Sequence, residues 1–358
     1  MIEVWNNSLH EKELQNFNRA VINRNIMEGP VLREFEEQLK KILCVDYVVG
    51  TSSGTAALAL AFMGIGVGPG DEVIVPDLTF IATANAARLL GAEVVVAPVK
   101  RGQTLLDETV IENYITDRTK AIVTVDLNGR IAEGKELKEK FAKRGIHIID
   151  DACQAFMSCD TEGKFAGAYA DIVCYSFGIT KMITTVMGGL VATNNQKIYE
   201  KIKILKTQGM PSIFEGDTYL YPGFNFKLPD VLAAIGMGQL ERLDQKMCHM
   251  CKINKMYREG LSEVEGISFL ERKKGEHPWM TGVLCENRTK VRKVLEDNEI
   301  ISRPLGAPLH TAHYLKTKGE YADSKTMSEK MLYLPGGPDQ DIVNIEKVIN
   351  VLQSHDLK

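Results

Sequence analysis

The chain alternates between short runs rich in Val and Ile and longer segments whose apolar residues recur at helical spacing. The runs EVIVP (72–76), AEVVVAPV (92–99) and KAIVTVDLNG (120–129) are typical of buried strands. TFIATANAARLLG (79–91) and GKELKEKFAKRG (134–145) predict helices around them. This order favours an α/β fold in which a parallel sheet is covered by helices on both faces.

Two helices are predicted before this region, over 11–24 and 31–43, and Gly29-Pro30 separates them. The segment DYVVGTSSGTAALALAFMGIG (46–66) then predicts a strand, a Ser/Gly/Thr turn and an alanine-leucine helix.

After a strand at 190–194, the pattern predicts a helix over 196–209, an aromatic- and glycine-rich loop over 211–230 and one long helix over 231–261. A polar helix near 289–300, a turn-rich stretch and a last helix follow.

The length predicts two unequal domains, because 358 residues exceed what one ordinary hydrophobic core holds. We place the change of domain near Gln239. Residues 1–239 are then a large domain that includes the N-terminal helices, and residues 240–358 are a small C-terminal domain.

Composition narrows the class of protein. Apolar residues make up 44% of the chain and charged residues 25%, as in soluble globular proteins. A net charge of −4 argues against a nucleic-acid-binding surface. No run approaches the roughly 20 apolar residues of a membrane span, and the N-terminus has no signal-peptide pattern. We therefore expect a cytoplasmic protein with no membrane or nucleic-acid partner.

The cysteines predict reduced thiols rather than a metal site. The chain has seven cysteines, an odd number, and Cys44, Cys174 and Cys285 lie in apolar runs. Cys248 and Cys251 form a CxxC pair, but no second pair or histidine cluster completes a zinc site, so we predict no metal.

The candidate chemistry lies between His147 and Leu190. An apolar run ends in Asp150 and Asp151, and a second one is followed by the lone lysine Lys181. This pair suits pyridoxal 5'-phosphate (PLP), because a lysine amine can form a Schiff base with the PLP aldehyde while a carboxylate keeps the pyridine nitrogen protonated. The alternative from the residue types alone is an ordinary cation at a helix end.

A phosphate site is predicted at the start of the helix after residue 52. Ser53 and Thr55 can cap that helix, and its first N–H groups attract an anion together with the helix dipole. A well-capped structural helix without a ligand is the alternative. Ser53, Phe80, Asp151 and Ser176 each fall at or near a strand end, so we expect them to meet at one crevice.

Nine blocks of the sequence, in order, resemble the DegT/DnrJ/StrS family of PLP-dependent sugar aminotransferases, within the aspartate aminotransferase fold type I. The blocks are GPVLREFEEQL, SSGTAALALA, GPGDEVIVPDLTFIATANA, IIDDACQA, DIVCYSFGITK, GGLVATN, GFNFKLPDVLAAIGMGQLERLD, RPLGAPLH and YLPGGP. The resemblance implies a large domain with a mostly parallel seven-stranded sheet, a smaller α+β domain and a homodimer whose active sites lie at the subunit interface.

The resemblance also implies residue roles in catalysis and around the cofactor ring. Lys181 matches the Schiff-base lysine and Asp151 the partner of the pyridinium nitrogen. Gln154 matches the residue near the phenolic oxygen, and Phe80 the aromatic side chain stacked on the ring, where a plain core phenylalanine is the alternative. Asp150 is expected to be structural.

The remaining implied roles concern the phosphate and the substrate. The phosphate cradle matches Ser53, Gly54, Thr55 and Ser176. Asn225 matches an asparagine that reaches the phosphate in the neighbouring subunit, and His310 lies in a stretch near the substrate, where an ordinary loop histidine is the alternative.

Several positions depart from the family pattern. They are Gly178, Met182, Val186, Met187, Lys227, Pro229 and Asn128. They cluster where the substrate or the partner subunit is expected, so they bear on the substrate rather than on the type of reaction.

We therefore predict a transaminase of surface polysaccharide or glycan biosynthesis. It would move an amino group from an amino acid, expected to be L-glutamate, to a keto sugar that is expected to be linked to a nucleotide. One alternative is a deoxysugar dehydratase on the same scaffold, although that branch of the family replaces the lysine by histidine and this chain keeps Lys181. The other is a PLP-binding regulator without turnover.

Overall fold

The computed structural model describes residues 1–212, 218–315 and 317–358. The α-helices in these ranges are α1 (Glu11–Ile22), α2 (Pro30–Leu43), α3 (Gly54–Gly64), α4 (Ala82–Leu89), α5 (Gly134–Phe141), α6 (Gln196–Leu205), α7 (Asp230–Glu241), α8 (Leu243–Gly260), α9 (Arg288–Asp297), α10 (Ala322–Lys330) and α11 (Ile342–Gln353). The strands are β1 (Tyr47–Thr51), β2 (Glu72–Pro76), β3 (Glu93–Ala97), β4 (Thr119–Val125), β5 (His147–Asp151), β6 (Ile172–Ser176), β7 (Gly189–Thr193), β8 (Ile267–Ser268), β9 (Gly282–Cys285), β10 (Arg303–Pro304) and β11 (Met331–Tyr333).

A seven-stranded sheet forms the centre of the molecule, in the order β1-β7-β6-β5-β4-β2-β3. Strand β7 runs antiparallel to both of its neighbours, and the other pairings are parallel. The prediction of a mostly parallel seven-stranded sheet flanked by helices is therefore confirmed. Most strands are buried on both faces, which explains their continuous Val/Ile runs.

Alternate residues of β6 enter different cores. Val173 and Tyr175 pack in the cluster that contains α2, whereas Ile172 and Cys174 pack in the cluster that contains α3. Helix α3 is apolar all round and buried along nearly its whole length. This burial fixes the start of α3 beside the ends of β5 and β6.

A second sheet, with the order β10-β11-β9-β8, is built from residues after 266 and is entirely antiparallel. The N-terminal segment reaches this part of the chain, since isolated bridges join Ile2 to Ile300 and Trp5 to Gly336. The division into domains at residues 239 and 240 stays a prediction.

The single long helix predicted over 231–261 is wrong at one point, because α7 ends at Glu241 and α8 begins at Leu243. Arg242, between them, forms ion pairs with Asp339 and Glu13. The apolar pattern continues across this break, so the sequence did not indicate it.

Of the loop predicted over 211–230, residues 213–217 lie outside the described residues. The remainder up to Pro229 contains only isolated bridges, which Asn225 forms with Thr207 and Lys227 with Thr51. No helix among the described residues combines the length and apolar character needed to cross a membrane.

Candidate active site

A chamber of about 350 Å³ opens at the carboxyl ends of the central strands. We call it the Lys181 chamber. It is lined by Ser53, Gly54, Thr55, Leu58, Thr79, Phe80, Ala82, Val125, Asp151, Cys153, Gln154, Ser176, Gly178, Ile179, Thr180, Lys181, Trp279 and Arg303. Eight of the ten predicted site residues are in this lining, and Asn225 and His310 are not.

The start of α3 forms one end of the chamber. Ser53 caps the helix, with its Oγ accepting a hydrogen bond from the Ala56 N–H at 3.1 Å. The N–H groups of Gly54 and Thr55 have no hydrogen-bond partner in the part of the chain that the structure describes, so a ligand can bind them. An anion is the ligand that such a helix start favours.

Two glycines allow strands to approach this helix start closely. A Cβ atom added to Gly54 would lie 2.8 Å from Ser176 Cβ, and one added to Gly189 would lie 2.5 Å from the Ser53 carbonyl carbon. Both distances are well below van der Waals contact. The Ser176 hydroxyl therefore lies directly beside the free N–H groups of α3.

Asp151 is held in the chamber by neighbours on two elements. Thr83 Oγ1 donates to Asp151 Oδ2 at 2.6 Å, and the Cys153 N–H donates to Asp151 Oδ1 at 3.2 Å. Thr79 Oγ1 lies 2.8 Å from Thr83 Oγ1 and extends this chain of hydroxyls. The carboxylate therefore has a fixed orientation towards the cavity.

Asp150 lies on the other face of β5 and does not line the chamber. It is buried next to Asp126, which follows the neighbouring strand β4. Within residues 1–212, 218–315 and 317–358, each of the two carboxyls has one oxygen without a hydrogen-bond donor. Burial and the adjacent Asp151 charge raise the pKa of Asp150 to about 7. Burial and the adjacent Asp150 charge raise the pKa of Asp126 as well, so the buried pair favours a state that carries a proton.

Lys181 projects into the chamber from a turn after β6. Its Nζ lies 4.5 Å from the centroid of the Trp279 ring, within cation–π range. Burial lowers the pKa of the Lys181 amine, and the nearby Arg303 charge lowers it further, against the opposing charge of Asp151. A neutral amine is therefore accessible at a lower pH than for an exposed lysine.

The backbone around Lys181 is held from distant parts of the chain. Asn7 Nδ2 donates to the Lys181 carbonyl at 2.8 Å, and Trp279 Nε1 donates to the Thr180 carbonyl at 2.5 Å. These bonds tie the backbone of the lysine turn to the N-terminal segment and to the segment just before β9.

Gln154 presents an amide donor to the chamber. Its Oε1 accepts from the Asn128 N–H at 2.9 Å, so its Nε2 is directed away from that partner and remains available. Asn128 adopts φ +55°, a left-handed conformation that asparagine tolerates well. Its Oδ1 also accepts from the Met280 N–H at 2.8 Å. Asn128 therefore links the loop after β4 to the segment just before β9.

Phe80 lies at the mouth of the chamber with 61% of its surface exposed, so it is not a plain core phenylalanine.

Two more of the positions that depart from the family pattern have clear local surroundings. Met182 is buried in the core, and Val186 has φ +68°, which is unfavourable for a β-branched residue.

His310 and Asn225 lie outside the Lys181 chamber. The His310 ring pairs with Asp77 at 2.7 Å and stacks on Tyr321 with centroids 4.9 Å apart. Asn225 is exposed on the surface of this chain. Its predicted contact with a neighbouring subunit stays a prediction, as does the role of His310 at the substrate.

Sequence reasoning missed Thr83, Trp279 and Arg303. Thr83 lies in the block that contains Phe80, three residues further on, at a spacing that brings both to one face of a helix start. Trp279 and Arg303 come from around the second sheet, so no local pattern could place them beside Lys181. Among the described residues, no group of three or more His, Cys, Asp or Glu could hold a metal ion.

Comparisons with known proteins find relatives along nearly the whole chain. The model of the DegT/DnrJ/EryC1/StrS aminotransferase family matches residues 7–353. The chain is similar to the GDP-perosamine synthase of Escherichia coli O157:H7, with 30% identity over 99% of this chain and 97% of that protein. It is similar to the GDP-perosamine synthase of Caulobacter vibrioides, with 34% identity over 79% of this chain and 78% of that protein. Among solved structures, the aminotransferase TlmJ from Streptoalloteichus hindustanus matches with a TM-score of 0.93 and 26% identity, over 99% of this chain and 98% of that chain.

Proposed function

The chain belongs to the DegT/DnrJ/EryC1/StrS aminotransferase family and is a PLP-dependent sugar aminotransferase, and we propose that its acceptor is a nucleotide-linked keto sugar. The observation that carries the site assignment is that Lys181 and Asp151 line the same chamber of about 350 Å³. A chamber of this size is in the range of small-molecule and cofactor sites.

The residues of the chamber fit PLP. The free N–H groups of Gly54 and Thr55, with the hydroxyls of Ser53 and Ser176, would hold the phosphate. Phe80 would stack on the pyridine ring, and the Gln154 amide would donate to the phenolic oxygen. The close approach that Gly54 and Gly189 permit supports a cradle for a ligand rather than an ordinary capped helix.

When bound, PLP supplies an electron sink for the pair of electrons left at a carbon that loses a proton. Asp151 would keep the ring nitrogen protonated, and Thr83 holds Asp151 in the orientation for that bond. Lys181 would attach the cofactor and carry the proton from the donor Cα. Its lowered pKa favours the neutral amine that this proton transfer needs.

The acceptor is proposed from the relatives. Two that cover most of this chain are named GDP-perosamine synthase, and a third, 28% identical over 90% of each chain, is named UDP-4-amino-4-deoxy-L-arabinose–oxoglutarate aminotransferase. These names support a nucleotide-linked sugar for this chain, with glutamate as the proposed donor.

Half-reactions would test the acceptor. The enzyme in its pyridoxamine phosphate form is mixed with GDP-, UDP- and dTDP-linked keto sugars, with free keto hexoses and with keto acids, and its return to the PLP spectrum is followed. A nucleotide-linked keto sugar should restore that spectrum faster than any free sugar. If only keto acids or free sugars react, the proposed acceptor is wrong.

We also propose that the active enzyme is a homodimer with shared active sites. Exposed large apolar side chains support it, because they are often buried at subunit interfaces, and two of them, Phe80 and Ile179, line the chamber. They include Phe80, Ile179, Val186, Met187 and Phe224.

A further inference from the structure

A second chamber of about 350 Å³ adjoins the Lys181 chamber. The two share Thr79, Phe80, Gln154, Trp279 and Arg303 as lining residues. The rest of the adjoining chamber is mostly apolar, including Leu78, Leu127, Leu305 and Leu309, and its described lining contains no carboxylate. Arg303 is the cation in that described lining.

Arg303 and Tyr333 form a polar corner in this apolar chamber. They are direct cross-strand partners in the β10–β11 pair. Tyr333 is only 2% exposed, yet its hydroxyl has no hydrogen-bond partner among the described residues. A buried hydroxyl without a partner carries a free-energy cost that a ligand oxygen would remove.

The Arg303 guanidinium is also available. Among the described residues it forms no ion pair, and its Cζ lies 5.7 Å from the centroid of the Trp279 ring. Burial raises the pKa of Tyr333 to about 12, although Arg130, Arg272 and Arg303 oppose this, so its hydroxyl is a neutral donor at physiological pH. The corner therefore offers donors and positive charge, which select an anionic group.

We propose that Arg303 and Tyr333 bind a carboxylate of the amino donor. This inference rests on the proposed function, since it assigns a binding site to one of the two substrates. A planar guanidinium matches a carboxylate through two parallel hydrogen bonds, and the tyrosine hydroxyl adds a third donor.

The position of the corner relative to Lys181 favours a carboxylate over the diphosphate of the acceptor. Lys181 Nζ and Arg303 both lie over the Trp279 ring. In an α-amino acid, the carboxylate is attached to the carbon that carries the reacting amine. In a nucleotide sugar, the diphosphate is separated from the keto carbon by part of the hexose ring, so it lies further from the lysine.

The binding of a non-reactive dicarboxylate tests the proposal without turnover. Glutarate is titrated into the full-length PLP-loaded enzyme, and tryptophan fluorescence is recorded. The chain has two tryptophans. Trp279 is part of the site, and Trp5 lies 6.2 Å from it, so both report on the corner.

Arg303→Gln should raise the Kd of glutarate by about 10- to 100-fold, the usual effect of losing a charged hydrogen bond. Arg303→Lys should have an intermediate effect, because lysine keeps the positive charge but cannot form the two parallel hydrogen bonds of a guanidinium. Tyr333→Phe should raise the Kd by about fivefold and should fold normally, since the hydroxyl that it removes has no hydrogen-bond partner among the described residues. The controls are Arg101→Gln and Tyr314→Phe, at exposed positions outside both chambers.

An unchanged Kd for glutarate in Arg303→Gln would overturn the proposal. So would a larger loss of affinity for GDP than for glutarate, which would assign the guanidinium to the acceptor. In steady-state kinetics, the same variant should raise the KM for glutamate by a larger factor than it lowers kcat, and should raise the KM for the acceptor less than the KM for glutamate. Because glutarate binding does not depend on which sugar is accepted, a wrong acceptor and a wrong carboxylate site give different results.

Discussion

Several polar side chains of the Lys181 chamber are held by hydrogen bonds within the protein and still present a polar group to a ligand. Gln154 uses its oxygen on Asn128 and keeps its amide nitrogen, and Ser53 accepts from Ala56 and can still donate. Asp151 accepts from Thr83 and Cys153. Such fixed orientations prepare the site before the cofactor enters.

Thr83 is expected to tune PLP affinity through Asp151. Thr83→Val keeps the shape but removes the 2.6 Å hydrogen bond, so the Kd of the apoenzyme for PLP should rise by about 10- to 100-fold. Titration of apoenzyme with PLP, followed by absorbance, measures this. Thr83→Ser should stay close to wild type, and Thr326→Val, on an exposed helix surface, should have no effect. Equal affinities for the Val and Ser variants would refute the role of the hydroxyl.

The raised pKa of Asp150 predicts that the stability of the folded protein depends on pH. Its pKa is about 7 in the folded protein, against an ordinary value of 3.8, because of burial and the nearby Asp151. Between pH 4 and 7, Asp150 is protonated in the folded protein but ionised in the unfolded chain, so unfolding releases a proton. The stability that the protonated Asp150 provides is therefore present at low pH and is lost as the pH rises towards 7. Asp150→Asn should reduce this loss by at least about 1 kcal/mol. Urea unfolding at pH 4.5 and 8 measures it, and parallel pH profiles for both proteins would contradict it.

The residues that reasoning from the sequence could place are those next to a strand end. Asp151, Ser176 and Ser53 follow apolar runs directly, and the carboxyl ends of parallel strands meet at one edge. Trp279, Arg303 and Tyr333 could not be placed in this way, because their positions depend on how the second sheet packs against the first.

At the scale of elements, the sheet was predictable and the breaks in helices were not. Runs of Val and Ile identified β2, β3 and β4, whereas the helix predicted over 79–91 is shorter in the structure and begins at Ala82. Residues before Ala82 line the two chambers, so tertiary packing sets the start of α4. The separation of α7 from α8 also depends on distant partners of Arg242.

Three separate segments meet behind Lys181. Lys246 on α8 donates to Asn7 Oδ1 and to Gln239 Oε1, both at 2.6 Å, and Asn7 donates in turn to the Lys181 carbonyl. Asn7→Ala should lower the free energy of unfolding by about 1–3 kcal/mol, because it leaves the Lys181 carbonyl and the buried Lys246 amine each short of a partner. Urea denaturation measures this.

Asn113→Ala, at an exposed position, is the matched control for Asn7→Ala and should change stability little. If the two alanine variants have the same stability, the Asn7 connection does not contribute to holding the lysine turn.

For the whole molecule, the proposed shared active site can be tested by subunit complementation. Lys181→Ala and Asn225→Ala each remove one half of the site, so each homodimer should be impaired. If the two variants are mixed by reversible dissociation, heterodimers contain one site with both residues intact. A random mixture should recover about a quarter of wild-type activity, since half of the dimers are mixed and each has one intact site. No recovery in a mixture that light scattering shows to be dimeric would place Asn225 and Lys181 in the same subunit's site or exclude a role for Asn225.

The central claim is that the coenzyme is attached to the amine at position 181, opposite the carboxylate of Asp151. The most direct measurement is borohydride reduction of the PLP-loaded protein followed by peptide mass mapping, with Lys181→Ala as the control. The account predicts one phosphopyridoxyl group per chain, on the peptide that contains Lys181, and none at that peptide in the variant. Stoichiometric labelling of another lysine in the wild-type protein would contradict it.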